Sequence, residues 1–366
     1  MSQTPIPFIF MRGGTSRGPY FNRADLPQNL DQLANVLISA LGSGHALNRD
    51  GLGGGNAVTT KVAMLSRSNL PGADIDYFFA QVSVEDGLVD FKPTCGNILS
   101  GVASAAIEMG LHPSSEGETS VAIHAVNTGA EIIAKVQTPR GQISYAGQAA
   151  IDGVPGTAAP VELNFMKVAG SSTGAFLPTG NLTDEIDGIP VTCMDVAMPM
   201  VIARAADFGL SGYETRDELD KNTVFFQCME ALRIKAGATM GMGDVRRSVT
   251  PKFGLIAPAK LGGSLTTRYF MPWKTHPTMA VTGSQCLASC ALTPGTVADG
   301  LLERPMEIPA KITLEHPMGS MEVLVDYHLK DGAFEHKSAG LIRTCRKLAD
   351  GQVYVPAEIW DGHTGR

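Results

Sequence analysis

Three residues, Cys95-Gly96-Asn97, stand immediately before ILSGVASAAIEMG, an apolar segment rich in small residues. This composition predicts a buried helix. The first N–H groups of a helix lack partners within it and attract anions, and a thiol placed beside them ionises readily. We therefore interpret Cys95 as a candidate acid/base, with Gly96 and Asn97 as candidate carboxylate-binding residues. A buried structural cysteine is the alternative.

Lys61 is the second candidate for proton transfer. It follows the polar segment GGGNAVTT, which contains Asn56, and it enters the apolar strand VAML. A lysine at the edge of a cleft loses contact with water, which favours the neutral amine that can act as a base. A solvated lysine at the start of a strand is the alternative, because lysine is seldom buried. Asn56 is a candidate contact to the ligand.

The Gly-rich segment RGGTSRG places four polar side chains beside a flexible backbone that suits anion binding. These candidate ligand-binding residues are Arg12, Thr15, Ser16 and Arg17. The segment GLGGGN lacks the GK[ST] ending of a phosphate loop, and the Cys and His residues lack the spacing of a zinc site. We therefore expect no nucleotide, no metal and no other cofactor.

The order of elements repeats along the 366-residue chain. In each half a strand and a turn precede a helix, LDQLANVLISALGSG or NTVFFQCMEALRIKAGATMG, and then a strand opened by a lysine. A polar turn and a helix of small residues follow in both halves. The turn-rich segment PTGNLTDEIDG predicts a boundary between an N-terminal half, 1–184, and a C-terminal half, 185–366. Two successive, unrelated α+β domains are the alternative.

The polar turn of the second half is Thr282-Gly283-Ser284, and Thr282 takes the place of Cys95. Threonine does not titrate near neutral pH, so the sequence favours one thiol and one lysine over two facing thiols. We expect this turn to complete a carboxylate-binding site between the halves. His276 precedes the turn and either orients the ligand or caps a loop.

Charge and composition argue against several kinds of partner. The chain has 29 Lys and Arg against 36 Asp and Glu, a formal net charge of −7, which is unfavourable for nucleic-acid binding. We expect no membrane span, because no apolar run approaches about 18 residues, and no signal peptide. Six scattered cysteines predict reduced thiols and a cytoplasmic location. A homodimer is compatible with the sequence.

Six motifs occur in order along the chain: MRGGTSRG, DGLGGGNAVTTKVA, CGNILSGV, IDGVPGTAAPVELNF, STGAFLPTGN and GYE. Together they resemble the PrpF family of isomerases from end to end. The resemblance implies an α+β fold similar to diaminopimelate epimerase, with two pseudo-symmetric domains that each wrap a mixed β-sheet round a central helix. It also implies that Lys61 and Cys95 are catalytic and that no cofactor is needed. The second catalytic cysteine of the epimerases falls at Thr282 and is absent.

The resemblance also implies a reaction. Members of the family shift a proton along an allylic or keto-enol system of an unsaturated di- or tricarboxylate. The segments VNTGAEIIAKVQTP, YAGQAAIDGVPGTAAP and LPTGN are most similar to 4-oxalomesaconate tautomerases, which act in gallate- or protocatechuate-type aromatic degradation. The alternative is 2-methylaconitate cis-trans isomerisation in the propionate pathway. A non-catalytic carboxylate-binding protein is a weaker alternative.

Overall fold

The computed structural model describes residues 2–330 and 333–363. They form two compact units: the first comprises Met1–Leu163 and Ile342–Arg366, and the second comprises Asn164–Leu341. Within the described ranges, no helix is long and apolar enough to cross a membrane. All six cysteines are free thiols.

Strands outnumber helices in both units. The first unit contains, in chain order, β1 (Gln3–Gly13), β2 (Ser16–Asn22), α1 (Leu30–Leu41), β3 (Lys61–Arg67), β4 (Ile75–Val82), β5 (Val89–Asp90), α2 (Gly96–Leu99), α3 (Val102–Glu108), β6 (Gly117–Ala125) and β7 (Ala130–Thr138). The chain then passes into the second unit through β8 (Pro160–Met166). Its further elements are β9 (Asp184–Ile186), β10 (Ile189–Asp195), β11 (Pro199–Arg204), α4 (Arg216–Lys221), α5 (Thr223–Thr239), β12 (Lys252–Pro258), β13 (Leu265–Phe270), α6 (Val281–Leu292), β14 (Ala310–His316), β15 (Gly319–Lys330) and the start of β16 (Ala333–Pro356).

The two units do not coincide with the halves expected from the repeat, 1–184 and 185–366. The second unit begins at Asn164, and the chain from Ile342 onward belongs to the first unit. The reason is the long last strand, because the later part of β16 pairs antiparallel with β1 and places Gln3 opposite Pro356. The pairing of β16 with β1 therefore places the segment from Ile342 onward in the first unit.

The strand pairings follow the same sequence in the two units. In the first unit the pairs β1–β2, β2–β3, β3–β4, β4–β6 and β6–β7 alternate between antiparallel and parallel. In the second unit β10–β11, β11–β12, β12–β13, β13–β14 and β14–β15 alternate in the same order. The predicted pseudo-symmetry is therefore confirmed, and Lys61 and Lys252 open equivalent strands.

Helix α1 forms where the sequence predicts it. Its apolar residues recur at three- and four-residue steps and are buried, which places one face against the sheet. The Asn29 side chain accepts a hydrogen bond from the Gln32 N–H at the N-terminus. Gly42 ends the helix with φ 66°, a left-handed conformation that glycine adopts without strain.

A central helix lies against the sheet in each unit. In the second unit this helix is α6, whose residues from Gly283 to Leu292 are all buried. It packs against β10, β11, β14 and β15, and its glycine, serine, cysteine and alanine side chains let the strands approach closely. In the first unit, α2 and α3 together contact β1, β2, β3, β6 and β7. The predicted α+β fold, with a mixed sheet round a central helix, is confirmed.

Candidate active site

Lys61 and Cys95 lie in contact in the first unit. Lys61 opens β3 and is half-buried, and Cys95 is only 8% exposed. The Lys61 Nζ lies 3.3 Å from the Cys95 Sγ. Nζ also lies 5.6 Å from the centroid of the Phe79 ring, which shields one side of the amine from water. An amine and a thiol at this distance can exchange a proton directly.

The backbone around Cys95 leaves its thiol available to the lysine. Cys95 is the N-cap of α2, but its side chain makes no capping hydrogen bond. Its carbonyl oxygen accepts hydrogen bonds from the Leu99 N–H at 2.9 Å and from the Tyr77 hydroxyl at 3.3 Å. Burial raises the pKa of Tyr77 well above its ordinary value, so this hydroxyl stays protonated and donates. The backbone of Cys95 is thereby fixed.

The helix expected after Cys95 is one continuous run, and this expectation is wrong. The run is split into α2 and α3 at Ser100 and Gly101. The Tyr20 hydroxyl donates to the Ile98 carbonyl oxygen at 2.5 Å, and the same oxygen accepts from the Gly101 N–H at 3.0 Å, a three-residue step in place of the four-residue step of an α-helix. A Cβ at Gly101 would lie 2.4 Å from the same hydroxyl, so the tyrosine packs into the break. With only four residues in α2, the available donors are the N–H groups of its first turn, at Gly96 and Asn97.

The turn between β1 and β2 lies directly against the start of α2. The Thr15 N–H donates to the Asn97 Oδ1 at 3.3 Å. Gly14 has φ 52°, and a Cβ there would lie 2.1 Å from the same Oδ1. Ser16 follows, 3% exposed, and its Oγ has no hydrogen-bond partner among the described residues. A buried hydroxyl without a partner costs about 1–3 kcal/mol, which a ligand oxygen can recover.

Arg17 extends the same turn toward the loop before Lys61. Its N–H donates to the Val58 carbonyl oxygen at 3.0 Å, and its guanidinium lies 5.7 Å from the centroid of the Phe10 ring. Arg17 is exposed and has no ion pair with any carboxylate of the described chain. The Asn56 Oδ1 accepts from the Val58 N–H at 3.1 Å, so the Asn56 side chain shapes this loop. The loop therefore presents an unneutralised cation that suits an anion.

The start of α6 is the counterpart of this site in the second unit. Its N-cap is Ala280, and Thr282 is partly exposed in the first turn. The Ser284 N–H donates to the Ala280 carbonyl oxygen at 2.8 Å, and the Ser284 hydroxyl donates to the Val281 carbonyl oxygen at 2.8 Å. Both donors of Ser284 therefore serve the helix, and its expected ligand role stays a prediction. Gly283 keeps a first-turn N–H without an acceptor in the helix.

Comparison with known proteins identifies the family. The model of the PrpF protein family matches residues 3–356. The chain belongs to the PrpF family. It is 45% identical to the (4E)-oxalomesaconate Delta-isomerase of Novosphingobium sp. (strain KA1), over 95% of this chain and 97% of that protein. It is 42% identical to the 4-oxalomesaconate tautomerase of Pseudomonas putida, over 99% of each chain. The crystal structure of methylitaconate-delta-isomerase superposes with a TM-score of 0.89 at 33% identity, covering 98% of this chain and 97% of the other.

The protein is accordingly an isomerase of the PrpF family. Of the residues predicted for its site, the structure brings together Lys61 with Cys95, and Thr15 with Asn97. Gly96 links these two pairs in the chain, and Ser16 follows Thr15. The turn at Thr282 belongs to the other unit, and its meeting with Lys61 in one cleft stays a prediction.

Two predicted residues have structural roles in this PrpF-family chain. The Arg12 Nη1 donates to the carbonyl oxygens of Gly14, at 2.8 Å, and Thr344, at 3.0 Å, so it holds the turn in place. The His276 Nδ1 accepts from the Thr278 N–H at 3.0 Å, which is the loop-capping role. Burial lowers the pKa of His276, which favours the neutral ring, and because Nδ1 accepts a hydrogen bond the neutral ring carries its proton on Nε2.

Sequence reasoning missed the aromatic residues that contact Lys61 and Cys95. Tyr77 and Phe79 lie on β4, opposite Leu65 and Ala63 of β3. Their alternation along β4 predicts that they share one face of the sheet, since side chains in a strand repeat every two residues. The register that brings this face to Lys61 is a tertiary property, and nothing local in the sequence indicates it.

Proposed function

We propose that this isomerase converts 4-oxalomesaconate between its tautomers by moving one proton, with Lys61 and Cys95 as the proton-transferring groups. The observation that carries the proposal is the 3.3 Å contact between the Lys61 Nζ and the Cys95 Sγ. Two relatives named for isomerisation or tautomerisation of oxalomesaconate, at 45% and 42% identity, support the choice of substrate. We place the reaction in the cytoplasm and in the degradation of aromatic compounds.

The reaction starts with Lys61 as a neutral amine. It removes a proton from the carbon between the ketone and the double bond, where both neighbouring groups acidify the C–H bond. The electron pair spreads over the conjugated system as a dienolate. First-turn N–H groups of Gly96 and Asn97 stabilise the developing negative charge. Lys61 or Cys95 then returns one proton at the far end of the system, so protons and electrons balance without any redox partner.

Substrate orientation relies on two polar side chains, those of Ser16 and Arg17, that have no hydrogen-bonding or ion-pair partner among the described residues. The cationic side chain of Arg17 suits a carboxylate, and the buried hydroxyl of Ser16 suits a carboxylate or carbonyl oxygen. The Thr15 N–H is already directed at Asn97 and positions the turn. Binding therefore holds the polycarboxylate across the β1–β2 turn with its reactive carbon toward Lys61. Such positioning supplies a large part of the rate enhancement in enzymes of this kind.

The proposal is tested by the ultraviolet absorbance of the conjugated substrate. Purified protein is mixed with 4-oxalomesaconate and, separately, with 2-methylaconitate. We expect turnover of 4-oxalomesaconate with the higher kcat/KM. Faster conversion of 2-methylaconitate would contradict the choice of substrate and favour the alternative. No change with either compound, despite measurable binding, would contradict catalysis and favour a carboxylate-binding protein.

A further inference from the structure

The amide of Asn48 holds together the loop between α1 and β3 in the first unit. Asn48 is 1% exposed. Its Nδ2 donates to the carbonyl oxygens of Gly42, at 2.9 Å, and Val84, at 3.1 Å. Its Oδ1 accepts from the Gly55 N–H at 2.8 Å. One buried amide therefore joins the start of the loop, its later part and the segment that follows β4.

The later part of this loop lies against Arg17. A Cβ at Gly54 would lie 2.6 Å from the Arg17 Nη2, so an added methyl group would displace the guanidinium. The Arg17 N–H donates to the Val58 carbonyl oxygen, in the same loop, at 3.0 Å. Both the guanidinium and the backbone of Arg17 therefore contact the segment whose Gly55 N–H is held by Asn48.

Support of this kind improves the binding of an anion. A long arginine side chain loses rotamer entropy when it becomes fixed, so a guanidinium that is already held in place binds a carboxylate more tightly than a mobile one. Arg17 is also next in the chain to Gly18, where a Cβ would lie 1.7 Å from the Lys61 carbonyl oxygen. The arginine that the loop supports is therefore attached to the backbone that contacts the proposed base.

We infer that Asn48 is a positioning residue that acts through Gly54 and Gly55 and holds the Arg17 guanidinium where it binds a carboxylate of the substrate. This inference rests on the proposed function, which assigns that carboxylate to Arg17. The carboxylate keeps its charge throughout the proton shift, so Arg17 binds the substrate and the transition state about equally. Loss of such an interaction raises KM and leaves kcat nearly unchanged.

The test is a double-mutant cycle between Asn48 and Arg17. Asn48 has φ 45°, which glycine adopts without strain, so Asn48→Gly removes the amide alone. We expect Asn48→Gly to raise KM for 4-oxalomesaconate roughly tenfold with kcat within about threefold, and Arg17→Ala to raise KM roughly 10- to 100-fold. In the Arg17→Ala protein, adding Asn48→Gly should change KM by less than about threefold, because the two residues act as one unit. A larger further loss, or an unchanged KM in Asn48→Gly, would overturn the inference.

Two more variants separate positioning from general stability. Asn29→Ala is the matched control, since the Asn29 Oδ1 caps the opposite end of α1 by accepting from the Gln32 N–H at 3.0 Å. It should lower the melting temperature and leave KM within about twofold. A KM raised as much as in Asn48→Gly would overturn the inference. Gly54→Ala keeps the Asn48 amide but displaces the guanidinium, and it should raise KM at least about fivefold. A smaller change in the folded protein would contradict the inference, even where Asn48→Gly does not fold.

A binding measurement repeats the cycle without turnover. The probe is tricarballylate, a saturated tricarboxylate, and thermal stabilisation reports its dissociation constant. We expect Asn48→Gly to weaken binding roughly tenfold in the wild-type background and by less than about threefold in the Arg17→Ala background. Equal affinity of wild type and Asn48→Gly would overturn the role of Asn48, even in an active enzyme. The expected coupling in a protein that turns over neither substrate would contradict the proposed function alone. Failure of tricarballylate to stabilise the wild type would contradict both.

Discussion

Gly18 is the position where a single added methyl group should displace Lys61, the proposed base. A Cβ at Gly18 would lie 1.7 Å from the Lys61 carbonyl oxygen and 2.8 Å from its carbonyl carbon. Atoms that are not bonded stay about 3.5 Å apart, so Gly18→Ala must displace the start of β3 by roughly 1.8 Å. The contact between the Lys61 Nζ and the Cys95 Sγ, now 3.3 Å, would then be lost.

The expected loss of kcat/KM is on the order of 100-fold, because misplacing a reacting group by about 1 Å has effects of that size. Overpacking should also lower the free energy of unfolding by about 1–3 kcal/mol. The assay is the absorbance change of 4-oxalomesaconate, with thermal unfolding measured on the same preparation. Gly254→Ala is the control, since a Cβ there meets only the side-chain ends of Leu287 and Met200, each at 3.0 Å. A folded Gly18→Ala protein with kcat/KM within about threefold of wild type would refute the reasoning.

Three further predictions concern buried polar groups. Burial lowers the pKa of His336 to about 4, so the wild type should lose stability as pH falls from about 6.5 to 4, and His336→Phe should flatten that dependence by about 2 kcal/mol in urea unfolding. Burial alone would raise the pKa of Glu315, but hydrogen bonds from the Lys260 N–H, the Thr266 hydroxyl and nearby N–H groups outweigh it and lower the pKa to about 2. The stability that Glu315 contributes should therefore be present above about pH 4.5 and be lost toward pH 2, and Glu315→Gln should remove on the order of 2 kcal/mol at pH 7, after allowance for solvent screening. Ser16→Ala should raise KM about tenfold without lowering the melting temperature, and an unchanged KM would contradict a ligand role for this hydroxyl.

Local sequence patterns were sufficient for much of the fold. The three- and four-residue spacing of apolar residues and a glycine at the end of the segment predicted α1, which the structure ends at Gly42. The repeated order of strands and helices predicted two similar units, and the strand pairings confirm it. These features depend on periodicity and on local capping, which neighbouring residues in the chain determine.

Long-range contacts produced the features that the sequence did not indicate. The end of the chain joins the first unit because β16 pairs with β1. The helix after Cys95 is interrupted at Ser100 and Gly101, where the Tyr20 hydroxyl, distant in sequence, donates to the Ile98 carbonyl oxygen and packs against Gly101. The donors of Ser284 serve their own helix because Ala280, two residues before Thr282, is the N-cap. A shift of two residues at a helix start is within the usual error of sequence-based boundaries.

The pairing of Lys61 with Cys95 came from the family resemblance, since neither residue alone distinguished catalysis from a structural role. The separation of Lys61 and Cys95 along the sequence does not indicate that their side chains are in contact. The structure adds the geometric reason, because Lys61 opens β3 and Cys95 caps α2, and α2 packs against β3. The role of each group in the reaction stays a prediction.

The most direct test of the proposed mechanism compares kcat/KM for 4-oxalomesaconate in wild type, Lys61→Met and Cys95→Ser, each confirmed as folded by thermal unfolding. Lys61 is the proposed sole base, and removing a general base costs about 10²–10⁴-fold, so Lys61→Met should lie at or beyond the upper end of that range. Cys95→Ser keeps a hydroxyl beside the intact first turn of α2 and should lose less. A dead Cys95→Ser protein beside a Lys61→Met protein of near-wild-type activity would contradict the mechanism and make the thiol the base.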